Sequence, residues 1–142
     1  MGEVYRVFAA DVSIWIESKD LFTYLDIMII CGKIEFYPGR DDTITNPLVI
    51  IEVLPRSDRH LQGDGHFLHP REKFIFYRAI PTFKEYVLID QARVYMEHFY
   101  IGEQGKWVLT EYDDPDDILK FTKIDFQISL REIYQRVEFG MG

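Results

Sequence analysis

The chain has 142 residues, 47% of them apolar and 28% charged, with a formal net charge of −8; this suits one globular domain with a single core. No apolar run approaches the roughly eighteen residues of a membrane span, and no basic-then-apolar signal segment opens the chain, so a cytoplasmic address follows by default. The single cysteine, Cys31, excludes an internal disulfide and a cysteine zinc site, and the acidic balance argues against a broad basic face for nucleic acid.

Val7 to Ile16 alternates with the period of a half-buried strand. Phe8, Ala10, Val12, Ile14 and Ile16 fall on one side, and Asp11, Ser13 and Trp15 on the other. A polar turn, Glu17 to Asp20, leads to a second strand, Tyr24 to Cys31, where Asp26 precedes an unbroken apolar run. Cys31 ends that run and reads as a small buried hydrophobe. The Pro-Gly pair and charges of Tyr37 to Asp42 mark a loop. Leu48 to Leu54 is a strand of the fully buried kind with one carboxylate, Glu52, in its middle. An ionised Glu buried there needs a cation, a metal or a proton to answer for it.

From Pro55 to Pro70 the pattern dissolves into Arg, Ser, Asp, His and Gly. So long a loop without an element of its own is functional or disordered. Its His60, His66 and His69 read as solvated side chains before metal ligands; Asp64 in the loop and Glu72 just beyond it are candidate supporting acids of a site, and neither is assigned to it. Pro70 suits the first residue of a helix reaching Ala79 and stopped at Ile80-Pro81. On that helix Lys73, Phe76, Tyr77 and Ile80 share the face turned toward the sheet.

Glu85 to Asp90 is another buried strand, and Arg93 to Tyr100 and Trp107 to Tyr112 form a hairpin around Gly102 to Gly105. The acids Glu111, Asp113, Asp114, Asp116 and Asp117 read as one solvated turn. Ile118 to Phe121 and Ile124 to Ile128 are short strands. Ser129 opens the last helix, with Glu132 completing a Ser-x-x-Glu capping box and Leu130, Ile133, Tyr134 and Val137 as its apolar face. The fold class is mixed α/β: a central mixed sheet flanked by helices.

Asp26 and Glu52 on neighbouring core strands form a candidate metal cradle, and Lys73 is directed at them from the helix. Hard oxygen ligands for Mg²⁺ or Mn²⁺ and a cation to stabilise charge on phosphate are what phosphodiester hydrolysis requires. Each residue alone has a plainer reading: Asp26 as a strand-end acid capped by backbone amides, Glu52 in an ion pair with an arginine, Lys73 as a snorkelling lysine.

Six segments together carry a resemblance. Arg6-Val-Phe-Ala-Ala-Asp-Val, Thr23-Tyr-Leu-Asp-Ile-Met, Asn46-Pro-Leu-Val-Ile-Ile-Glu-Val-Leu, Glu72-Lys-Phe-Ile-Phe-Tyr-Arg, Pro81-Thr-Phe-Lys-Glu-Tyr-Val-Leu-Ile-Asp and Trp107-Val-Leu-Thr-Glu resemble, in order, the Uma-two family. These are bacterial, notably cyanobacterial, proteins assigned as endonucleases with a restriction-endonuclease-like fold. The resemblance implies a PD-(D/E)XK site in which the lysine has moved from the second acid's strand to the following helix: the usual strand position is Leu54. By position, Asp26 and Glu52 would be metal ligands and Lys73 the moved lysine.

The chain departs from the family at Leu25, where a proline usually precedes the first acid, and at Pro55-Arg-Ser-Asp58, where a Ser-Pro-Ser-Thr type of turn is usual. His69 stands where an aspartate is common, and the front of the domain, an N-terminal helix and further strands, is absent. Positions 1–142 then read as one shortened domain whose bare sheet face awaits a partner or a second copy. The expected function is Mg²⁺-dependent cleavage of DNA. The alternatives are a catalytically inactive, nuclease-fold interaction module, and a transposon-associated or toxin-like nuclease with a specific partner.

Overall fold

The computed structural model describes residues 4–55 and 69–135, the side chains at 10–12 excepted. Nine strands and two helices follow in order: β1 Tyr5–Ile16, β2 Leu21–Cys31, β3 Thr43–Ile44, β4 Val49–Val53, α1 Pro70–Tyr77, β5 Glu85–Ile89, β6 Met96–Ile101, β7 Trp107–Tyr112, β8 Ile118–Lys120, β9 Gln127–Ser129 and α2 Leu130–Tyr134. Seven strands form one mixed sheet in the order β3-β1-β2-β4-β5-β6-β7, and β8 and β9 pair separately. The β4 and β5 strands are parallel, with α1 in the connection between them, so β4-α1-β5 is a crossover unit. The sheet also pairs β3 with β1 in parallel, and its other pairs are antiparallel.

Alternation along these strands builds a core on each face. Toward α1 lie Met28, Ile50, Leu54, Tyr86 and Leu88 with Tyr77 and Ile80. Toward β8, β9 and α2 lie Ile29, Val49, Val87 and Met96 with Leu119, Phe121, Leu130 and Tyr134. On that second face Val7 and Val53 stay exposed, at 64% and 41%.

The α1 helix begins where proline and capping chemistry place it. Pro70 is its first residue, His69 Nδ1 accepts the Arg71 N–H at 3.1 Å, and Glu72 Oε1 accepts the His69 N–H at 3.3 Å. The α-helix closes at Tyr77, short of Ala79, because the last turn tightens: Ala79 and Ile80 donate to Phe76 O and Tyr77 O before Pro81. Ser129 caps α2 by accepting from Glu132 N at 3.1 Å, and Leu130 and Tyr134 are buried. Val137 lies outside the described residues.

Four local expectations change. Thr43–Ile44 adds a two-residue parallel edge strand to β1, too short to show a period. Ile124 lies in a bend closed by Phe126 N–H to Ile124 O, so β9 starts only at Gln127. Glu111 belongs to β7, not to the acidic turn that follows it. Cys31 is half-buried rather than buried, because β2 ends there beside the Gly32 turn.

Candidate active site

The site forms where β2 and β4 separate. Their ladder runs Ile29↔Val49, Met28↔Ile50 and Ile27↔Ile51 and then stops, so Asp26 and Glu52 are the next positions beyond the last pair. A cause lies on the other side of β2. One extra residue on β1 between Ala9 and Val12 shifts its pairing with β2 from Ala9↔Ile27 to Val12↔Leu25, opposite Asp26. Such bulges bend a strand and re-aim its side chains.

The backbone groups freed by the separation are used by the site. Leu54 N–H bonds to β5 at Ile89 O, so the preceding Val53 N–H points to the β2 side, where Asp26 Oδ2 accepts it at 2.8 Å. The Tyr24 carbonyl accepts the Lys73 ammonium at 2.7 Å. Lys73 Nζ also lies 2.9 Å from Glu52 Oε1, with side chains only 12% and 4% exposed. On the other carboxylate oxygen, Oε2, Tyr86 donates at 2.7 Å and Tyr77 at 3.1 Å. Both tyrosines are fully buried. Burial first, and then the charge of Glu52, pushes their hydroxyls well above the usual tyrosine range, and Asp26 adds to the effect. They are permanent donors.

Glu52 is thus compensated by Lys73 and two tyrosines, not by an arginine. A metal is not needed to account for its burial. Asp26 is exposed and has no burial to account for, contrary to its reading as a core-strand acid. Leu54, at the strand position where a lysine is more usual, is 4% exposed and packs in the apolar core. The geometry brings Glu52 and Lys73 into contact and sets Asp26 at the same strand edge.

Further acids lie in the same cross-sheet row, Glu52↔Leu88↔Glu97↔Glu111. The first turn of α1 straddles β5 above it. Lys73 reaches Glu52 on β4, Pro70 O lies 2.9 Å from Tyr86 OH on β5, and Arg71 makes a two-pronged pair with Glu97 on β6 at 3.1 and 2.6 Å. Tyr95 OH bridges Glu97 and Glu111 at 2.9 and 2.6 Å. Sequence reading did not single out Glu97. Its signal was a charged residue in an otherwise apolar strand, the same signal that marked Glu52.

Burial pushes the Glu97 carboxyl up, but the Arg71 and Tyr95 bonds outweigh it and hold it below its ordinary value of 4.5. The folded state therefore binds that proton less readily than the unfolded chain. The pair's contribution is present in full above about 4.5 and is lost as pH falls through the lower folded value. Acid denaturation of Glu97→Gln should lack that component, worth about 1 kcal/mol given the half-exposed Arg71, in urea melts compared at neutral and acid pH.

The donor set fits a hard divalent cation. Mg²⁺ takes one or two carboxylates and fills its octahedron with water and phosphate oxygens. Glu52 Oε1 carries one hydrogen bond of the two its lone pairs allow. Asp26 Oδ1 has no hydrogen bond among the described residues, where no larger cluster of His, Cys, Asp and Glu forms a metal site. His69 caps α1, while His60, His66, Asp64 and the Asp11 side chain lie outside the described residues.

The sequence profile of Uma2, described as "putative restriction endonuclease", matches residues 2–131. The chain belongs to the Uma2 family. An uncharacterised Synechocystis protein, sll1609, is 35% identical over 107 residues, which is 75% of this chain and 56% of that protein. A second, slr1290, is 24% identical over 132 residues, or 92% and 63%. This Uma2 chain therefore spans under two thirds of the length of these relatives. Its fold is shared with the crystal structure of a "putative nuclease belonging to DUF820" from Anabaena variabilis, with a TM-score of 0.64 at 14% identity over 92% of this chain and 68% of that one. The restriction-endonuclease-like α/β expectation holds. Among the described residues no helix is long and apolar enough to cross a membrane.

Proposed function

We propose that this Uma2 chain is a metal-dependent endonuclease domain that hydrolyses DNA phosphodiester bonds. The observation that carries this reading is the Lys73 ammonium 2.9 Å from Glu52 at the strand edge that also bears Asp26. Asp26 and Glu52 would hold Mg²⁺ or Mn²⁺, which when bound supplies Lewis acidity toward the phosphate and a more acidic water. In the reaction a water oxygen bonds to phosphorus, the bridging P–O bond breaks and the departing oxygen takes a proton.

The side chains divide the remaining work. An ammonium has three donors; Lys73 uses two of them on Glu52 and Tyr24 O, leaving the third for a phosphoryl oxygen as negative charge builds there. Asp26 holds the Val53 amide, so the opened strand edge keeps its shape without a backbone ladder. The net charge of −8 makes binding of a polyanion depend on the local cations of the site rather than on a basic face.

Incubation with supercoiled plasmid and Mg²⁺ or Mn²⁺ tests the reading. The wild type should nick it, and Glu52→Gln should lose at least about a hundredfold in rate, beyond what loss of a metal ligand's supporting partner costs. Equal nicking by both proteins, or none by the wild type, counts against it. The self-sufficient Glu52 network favours a second reading, an inactive nuclease-fold interaction module. Mn²⁺ titration separates the two, since the module should show no carboxylate-dependent binding.

A further inference from the structure

We infer that Tyr77 and Tyr86 are positioning residues of this site, whose hydroxyls occupy Glu52 Oε2 and thereby fix Oε1 as the oxygen offered to a divalent cation and to Lys73. The inference rests on the metal-dependent reading above and names the residues that prepare its carboxylate. The terminal torsion of a Glu side chain is broad, so an unrestrained carboxylate turns freely about it. Here turning the group away would break donations of 2.7 and 3.1 Å that come from two different elements, β5 and α1. An oxygen accepting two donors has both lone pairs engaged. The carboxylate is therefore one-sided: Oε2 faces the buried hydroxyls, and Oε1 faces the ammonium.

Tyr86 has a second part in the arrangement. Its hydroxyl is also 2.9 Å from the carbonyl of Pro70, the first residue of the helix that carries Lys73. The same atom thus touches the carboxylate and the start of the lysine-bearing helix. Both rings pack against each other at 5.5 Å and against Phe83, so a Tyr-to-Phe exchange removes one oxygen and leaves the packing in place.

The test is calorimetric titration of the full chain with Mn²⁺, with melting temperature measured for every variant. Partners that orient a metal's ligands typically govern affinity by ten- to a hundredfold. Tyr86→Phe should weaken Mn²⁺ binding about tenfold, and Tyr77→Phe less, in keeping with its longer bond. Tyr134→Phe is the control: it removes a hydroxyl that lies 2.6 Å from Asp90 O and 2.9 Å from Tyr95 O on the far core, and should lower the melting temperature without moving the Mn²⁺ affinity. On plasmid, Tyr86→Phe should lower kcat while KM holds. Wild-type Mn²⁺ affinity in both Tyr77→Phe and Tyr86→Phe, alongside its loss in Glu52→Gln, overturns the positioning role and leaves the nuclease reading intact. Mn²⁺ binding that does not depend on Glu52 overturns both.

Discussion

Replacing Lys73 with methionine should destabilise the fold by about 3–5 kcal/mol, the cost of breaking one side of a buried ion pair. Glu52 is 4% exposed and Lys73 12%, so little solvent reaches the pair to replace the lost ammonium. The two tyrosines would still donate to Oε2, but Oε1 would lose the ammonium that compensates its charge. Adding Glu52→Gln to Lys73→Met should recover much of the loss, since the neutral amide leaves no charge to desolvate. Urea unfolding of the four proteins in the cycle measures this coupling. Additive losses would mean that the pair contributes nothing as a pair. Nicking should be lost in Lys73→Met and should not return in the double variant, which separates stability from chemistry.

A comparable loss is expected on the opposite face of the sheet, at a pair with no place in the proposed chemistry. Glu85 on β5 and His98 on β6 are 0% and 1% exposed and bond directly, Glu85 Oε2 to His98 Nε2. The same carboxylate accepts the backbone N–H of Thr122 at 2.8 Å and of Lys123 at 3.1 Å. It therefore satisfies the loop between β8 and β9 as well as the imidazole. Glu85→Ala strands the buried His98 ring nitrogen, at a cost of about 1–3 kcal/mol, leaves a cavity in the far core, and releases the amides of the exposed Thr122 and Lys123 to water. The variant should lose about 3 kcal/mol, with hydrogen-exchange protection falling first at Thr122 and Lys123. Unchanged protection at those amides would show that the carboxylate does not hold the loop.

Much of this architecture is legible in the chain itself. Period-two alternation marks β1, apolar runs mark β2, β4 and β5, Pro70 marks the start of α1, and Ser129 with Glu132 marks α2. These signals are local, because a strand facing a core and a helix needing its first N–H groups satisfied both constrain neighbouring residues. Glu52 and Lys73 were legible for a related reason. A carboxylate inside a buried strand demands compensation, and helical spacing turned Lys73 toward the sheet; 2.9 Å separates them.

Glu85, His98 and Glu97 escaped notice although they obey the same rule, since each sits in an apolar strand with its partner on another element. Glu85 stands at a strand's first residue, where acids are commonplace. The histidine gives no sign in the sequence of which neighbour its ring will meet.

The amino-acid sequence alone determined the family, the α/β class, the order of most elements and the acid and lysine around which the proposed site is built. Tertiary structure alone decided that β2 and β4 part after Ile27 and Ile51, that Asp26 is exposed and holds an amide, and that two buried tyrosines complete the Glu52 shell. The reason is register. A one-residue bulge in β1 and the seating of α1 across three strands set which distant side chains meet, and such long-range pairings leave no trace in local periodicity.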